Sequence, residues 1–250
     1  MTWTPDTLLA VFVVFCRIGT CMMLMPGLSS PRIMPRIRLF IALGTTLALS
    51  PVLVAEILPA LSSASPSQSL VLIAAETFTG VLIGLLGRLF YAALETMGVA
   101  ASMAIGISSN LGAPISEEEP LSALASFLTL CAAMMMFAAG LHWEVLGALI
   151  SSYQHLPVTG SFGIRPALAQ FLDVLARSFL IALQLCSPFL IFGLVTNLAF
   201  GLLNKLVPQV PVYFVSVPFA VAGGLLLFLF TFRAILSNFT FYFADWLTKG

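Results

Sequence analysis

Long apolar stretches alternate with short polar breaks along the whole chain, and each stretch approaches the length of a membrane span. A helix needs about 20 apolar residues to cross the hydrocarbon core. Thr7–Met25 is the first candidate, interrupted only by Arg17. A Pro/Arg loop, Pro26 to Arg38, leads to a second span, Leu39–Leu58. After an uncharged Ser/Pro loop comes Leu70 to Ile107, too long for one ordinary span and read as a long tilted helix or a span with an extension. The fourth span is Leu121–Ile150. Ala167–Leu206 is again long, with Pro188 and Gly193 as expected kink points. The last span, Val212–Ile235, precedes an aromatic tail (Phe239, Phe241, Tyr242, Phe243, Trp246) that fits an interfacial belt. The fold class is therefore all-α and polytopic, with about six apolar helical segments in one integral membrane domain, 1–250.

Composition agrees. Hydrophobic residues make up 60% of the 250, and charged residues only 8%. Mean hydropathy is +1.09, more apolar surface than a soluble fold can hide. Net charge is zero, which argues against a nucleic-acid partner. The first residues carry no Lys or Arg, so the first segment is expected to be retained rather than cleaved as a signal peptide. With six spans and the N-terminus outside, the inner loops hold Arg32, Arg36, Arg38 and Lys205, the orientation that the positive-inside rule favours.

The charges within the apolar segments are the candidate chemistry: Arg17, Glu76, Arg88, Glu95, Glu144, Arg177 and Arg233. Each is costly in a span unless paired or hydrated. Arg88 and Glu95 share a helical face, and Asp173 and Arg177 lie one turn apart. A proton relay needs acids converging at one depth, whereas these are scattered, so inter-helix or inter-subunit pairing is the preferred reading. Small residues recur at Gly80 and Gly84 and at Gly98, Ser102 and Gly106, which predicts close helix packing. Cys16, Cys21, Cys131 and Cys186 form no C-x-x-C pair and are read as small buried hydrophobes. Met134-Met135-Met136 is read as core or lipid-facing surface in preference to a deformable seal, and Glu117–Glu119 as a solvated loop. There is no H-E-x-x-H, no G-x-S-x-G and no Walker lysine, so neither an enzyme, a metal nor another cofactor is expected.

Two stretches go beyond composition. The first combines Phe15-Cys16-Arg17-Ile18-Gly19 with Met25-Pro26 and Pro31-Arg32-Ile33-Met34-Pro35-Arg36-Ile37-Arg38. The second is Asn197-Leu198-Ala199-Phe200-Gly201, followed by Pro208-Gln209, Pro218 and Gly223-Gly224. In this order, over essentially the whole chain, they resemble the FliR family of flagellar export proteins. The motif positions are Arg36, Arg38, Asn197, Gly201, Pro208, Gln209 and Pro218.

The resemblance implies a subunit of the flagellar type III export gate in the bacterial inner membrane, at the flagellar basal body. There it would assemble with FliP- and FliQ-like chains into a helical pore for unfolded subunits, with FlhA- and FlhB-like components at the entrance. It implies no cofactor and no active site, and helices that rise largely out of the bilayer plane. By position, a pore plug would fall near Ile105–Pro120, at Ser108, Ser109, Asn110, Leu111, Gly112, Ala113, Pro114 and Ile115. The injectisome relative SctT is the alternative. A stand-alone transporter needs paired repeats with broken helices, and the sequence shows none.

Overall fold

The computed structural model describes residues 4–27, 29, 33–62, 65–107, 122–155, 164–207, 209 and 212–249. The described residues form helices and no strands. In order these are α1 (Pro5–Leu24), α2 (Pro35–Ser62), α3 (Pro66–Ala104), α4 (Ala123–Ala138), α5 (Leu141–His155), α6 (Ile164–Leu206) and α7 (Val212–Lys249). By length and composition five can cross a membrane, or six if the bent α4–α5 pair is one broken span.

Helix ends follow local chemistry. Thr4 caps α1 by accepting the Thr7 N–H at 3.4 Å, and Pro5 opens its first turn. Pro35 opens α2, so Arg36 and Arg38, expected in a loop, lie in its first turn. At the end of α3, Gly106 takes φ +79°. Its N–H donates to Met103 O at 3.2 Å, and the Ile107 N–H donates to Ser102 O at 3.0 Å, the bonding pattern of a Schellman cap.

Two segments differ from the sequence expectation. The fourth is not one span: it breaks between α4 and α5, which bend by 73°. Gly140 sits in the break at φ +73°, a left-handed conformation that glycine adopts without steric cost. The last helix does not stop near Ile235 but carries the aromatic tail to Lys249. α6 runs through Pro188 and Gly193 without a break. A hydroxyl accommodates Pro188 within the helix. A helical proline leaves the carbonyl four residues earlier without its N–H. The Ser187 Oγ donates to that carbonyl, Gln184 O, at 2.8 Å. Pro51 repeats the device within α2, where the Ser50 Oγ donates to Leu47 O at 2.9 Å. Serine hydroxyls re-satisfying a freed carbonyl are one way in which proline is accommodated in membrane helices.

The chain divides into two compact units. The first comprises Met1–Leu89, Met136–Leu175 and Phe243–Gly250. Its core is the α1–α2 hairpin: Ala10, Val13, Val14, Ile18 and Met22 bury against Ala42, Leu53, Val54, Ile57 and Leu61. The three-to-four spacing on α1 turns one face inward. The second unit comprises Phe90–Met135 and Ala176–Tyr242. Here small residues let backbones meet. A Cβ on Gly98 would stand 2.7 Å from the Cα of Ala125, and one on Gly193 would stand 2.7 Å from the carbonyl oxygen of Ala104. Phe127 stacks on Phe232, with ring centroids 5.7 Å apart, and Tyr91 meets Phe239 edge-on at 5.1 Å.

Candidate functional site: a buried charge cluster

Arg17 is the largest fully buried side chain of the described residues, at 1% exposure, and Glu76 is buried with it at 2%. α1 presents Arg17 on the face it turns toward α3, between the core residues Val13, Val14 and Ile18. The guanidinium meets the carboxylate in a two-pronged pair: Nε donates to Oε2 at 2.6 Å, and Nη2 donates to Oε1 at 2.7 Å. Planar forks of this kind are the strong form of the interaction. The third corner reaches α5, where Nη1 donates to the Ser152 Oγ at 3.1 Å. The Ser152 hydroxyl in turn donates to Leu149 O at 2.6 Å. The Tyr153 ring lies under the guanidinium, with its centroid 3.9 Å from Cζ, a cation–π contact.

Close approach of α1 and α3 makes the pair possible. Gly80, one turn beyond Glu76, leaves room for the Arg17 carbonyl and the Thr20 hydroxyl, which a Cβ would strike. Thr20 Oγ1 donates back to Cys16 O at 2.6 Å and lies 3.3 Å from Thr77 O across the helix pair. Removing two ions from water costs several kcal/mol per ion, and only good geometry with further hydrogen bonds offsets it. This cluster has both. It ties three helices, α1, α3 and α5, at one point.

Such an arrangement is suited to holding, not to proton transfer. Both Glu76 oxygens are occupied by the arginine fork. Among the described residues no group of three or more His, Cys, Asp or Glu could hold a metal.

The other sequence candidates are elsewhere. Arg88, Arg177 and Arg233 are exposed, and Glu95 is half-buried. Glu144 and Asp173 are exposed. Of the motif positions, Arg36, Asn197, Gly201, Gln209 and Pro218 are exposed. Arg38 is half-buried and donates from Nε to Ile33 O at 3.1 Å. Pro208 and the loop positions Ser108, Ser109, Asn110, Leu111, Gly112, Ala113, Pro114 and Ile115 lie outside the described residues. Sequence reasoning singles out Arg17 and Glu76 without joining them, and it misses Ser152 and Tyr153. The signal for those two is the polar run Ser151-Ser152-Tyr153, which reads as the start of a loop but continues the apolar helix.

The chain matches the family described as bacterial export proteins, family 1, over residues 8–246. It is similar to the flagellar biosynthetic protein FliR of Caulobacter vibrioides, 32% identical over 91% of this chain and 90% of that one. The FliR protein of Escherichia coli is 24% identical over 80% of this chain and 75% of its own. That of Aquifex aeolicus is 28% identical over 68% and 66%. The chain thus belongs to the bacterial export proteins, family 1, and among them to the flagellar biosynthetic FliR proteins.

Proposed function

We propose that this chain is a structural subunit of the flagellar type III export gate in the bacterial inner membrane. It acts by shape: its helices pack with FliP- and FliQ-like chains to form part of a pore for unfolded flagellar subunits. FlhA- and FlhB-like components serve that pore, and the energy for export is supplied elsewhere. The chain itself performs no catalysis and needs no cofactor.

Alongside the family match, one contrast in burial supports this reading. Half of the α1 window is buried inside the chain, against 22% for Leu168–Leu206 and 17% for Ser216–Thr248. The exposed faces of α6 and α7 carry large apolar side chains such as Ile191, Leu194, Phe219 and Phe230. Rows of this kind need lipid or other helices to cover them. The charges, by contrast, that are fully buried are already neutralised within the chain at Arg17 and Glu76.

The test is a tagged copy at native expression, purified from membranes in mild detergent, with its partners identified by mass spectrometry. FliP- and FliQ-like chains in fixed ratio are the expected result. Injectisome components instead would move the same subunit to another secretion machine. Recovery of the chain alone would overturn the proposal.

A further inference from the structure

α1 and α3 lie side by side and parallel, and their contact repeats almost every turn. Gly80 receives the backbone of Arg17. Gly84 receives Cys21, whose carbonyl oxygen lies 2.8 Å from where a Cβ would stand. Gly87 receives Met25, whose Sδ lies 2.6 Å from the corresponding point. A row of small residues permits close packing but specifies position weakly. Sliding α1 by one turn, roughly 5.4 Å, would set Cys21 against Gly80 and Met25 against Gly84. The opposite slide would set Arg17 against Gly84 and Cys21 against Gly87. Either way two of the three glycine notches would again be filled.

The charge pair has no such near-equivalent. α3 carries two acids, Glu76 and Glu95. A one-turn slide brings the Arg17 guanidinium opposite Leu72 or Gly80 instead of Glu76 and strands a buried guanidinium and a buried carboxylate. The same slide separates Arg17 from Ser152 and Tyr153, so α5 is read against the same point.

We infer that Arg17 and Glu76 form a register lock: the pair selects which glycine each turn of α1 occupies, rather than adding stability to the bundle. Buried ion pairs add little over well-packed apolar residues of similar volume, whereas breaking one is costly. A single buried polar position is an established way of fixing helix register. Arg17 and Glu76 are positioning residues here.

Cysteines already present on α1 make the test direct. Cys16 lies against Thr77 of α3, and Cys21 is little more than a turn further along. The full chain carries Thr77→Cys, with Cys131→Ala and Cys186→Ala to remove competing thiols. It is oxidised with copper phenanthroline in the membranes where it is expressed, and the disulfide is located by mass spectrometry. With Arg17 and Glu76 intact, one disulfide to Cys16 is expected. The apolar pair Arg17→Met with Glu76→Leu is expected to accumulate to within about twofold, with the disulfide divided between Cys16 and Cys21. The exchange Arg17→Glu with Glu76→Arg should restore the single disulfide to Cys16. A sole Cys16 disulfide in the apolar pair would overturn the inference. Loss of the apolar pair from the membrane would overturn it too, by making the charges a source of stability. Neither readout depends on what the protein exports.

Discussion

Ser102 Oγ lies 2.9 Å from Ser122 Oγ, joining the last turn of α3 to the residue before α4. Ser122 also accepts the Ala125 N–H at 3.2 Å, capping α4, and Ser102 bonds back to Gly98 O at 2.8 Å. One turn away, Gly98 admits the Cα of Ala125. Hydrogen bond and close approach therefore fix the same crossing. Ser102→Ala should cost about 1–2 kcal/mol. Gly98→Val should cost more, because the obstructing atoms are backbone, which moves only if the helices part. Steady-state level and trypsin half-life in membranes would rank the two. Equal effects would mean that the glycine is not at a tight crossing.

Gly223 and Gly224 look alike in sequence but obstruct differently. A Cβ on Gly223 would meet only the far end of the Phe192 ring, with Cζ at 2.8 Å. One on Gly224 would meet Ile105 at its own Cβ and Cγ2. Gly223→Ala should therefore be rescued by Phe192→Leu, while Gly224→Ala should not be rescued by Ile105→Val. Gly201 has nothing within 4 Å, so Gly201→Ala should be neutral or stabilising by up to about 1 kcal/mol. If export fails in Gly201→Ala at an unchanged protein level, that motif glycine faces a partner. Thermal aggregation in detergent and an export assay, run together, separate the two effects.

The paired Ser50 and Pro51 predict a thermodynamic cycle. Ser50→Ala leaves Leu47 O without either donor, at a cost of about 1–3 kcal/mol. Pro51→Ala restores the N–H that bonds to this carbonyl. The double variant should therefore be close to Pro51→Ala alone, so the effects of the two changes should not add. Additive losses in urea resistance would show that the hydroxyl acts elsewhere.

Much of this fold is legible from hydropathy alone, because lipid-length apolar runs have few alternatives to helix. Arg17 and Glu76 stand out for the same reason: a charge in such a run needs an explanation. Their pairing is not legible, since it joins residues 59 positions apart and depends on helix packing. The sevenfold spacing of Arg88 and Glu95 gives a shared face but not burial: Arg88 is exposed. At Pro188 the helix continues, and the compensating signal in the sequence is the neighbouring Ser187. Gly140 is the clue to the broken fourth span, hidden within continuous hydrophobicity. Gly106, grouped with Gly98 and Ser102 as a packing row, serves instead as a helix cap.

Gly140 and Gly27 separate conformational strain from crowding. Both have left-handed backbones, at φ +73° and +87°. Around Gly140 there is nothing within 4 Å of an added Cβ, so Gly140→Ala meets only the backbone cost, about 1–2 kcal/mol. Gly140→Asn should cost less, because asparagine tolerates this region better. At Gly27 a Cβ would also stand 2.6 Å from the Cε of Met136. Gly27→Ala should therefore lose more than Gly140→Ala, and Met136→Ala should recover only the excess. Thermal midpoints of the protein in detergent would measure both steps. Full recovery on trimming Met136 would mean that crowding alone restricts Gly27, and it would remove the backbone argument at both glycines.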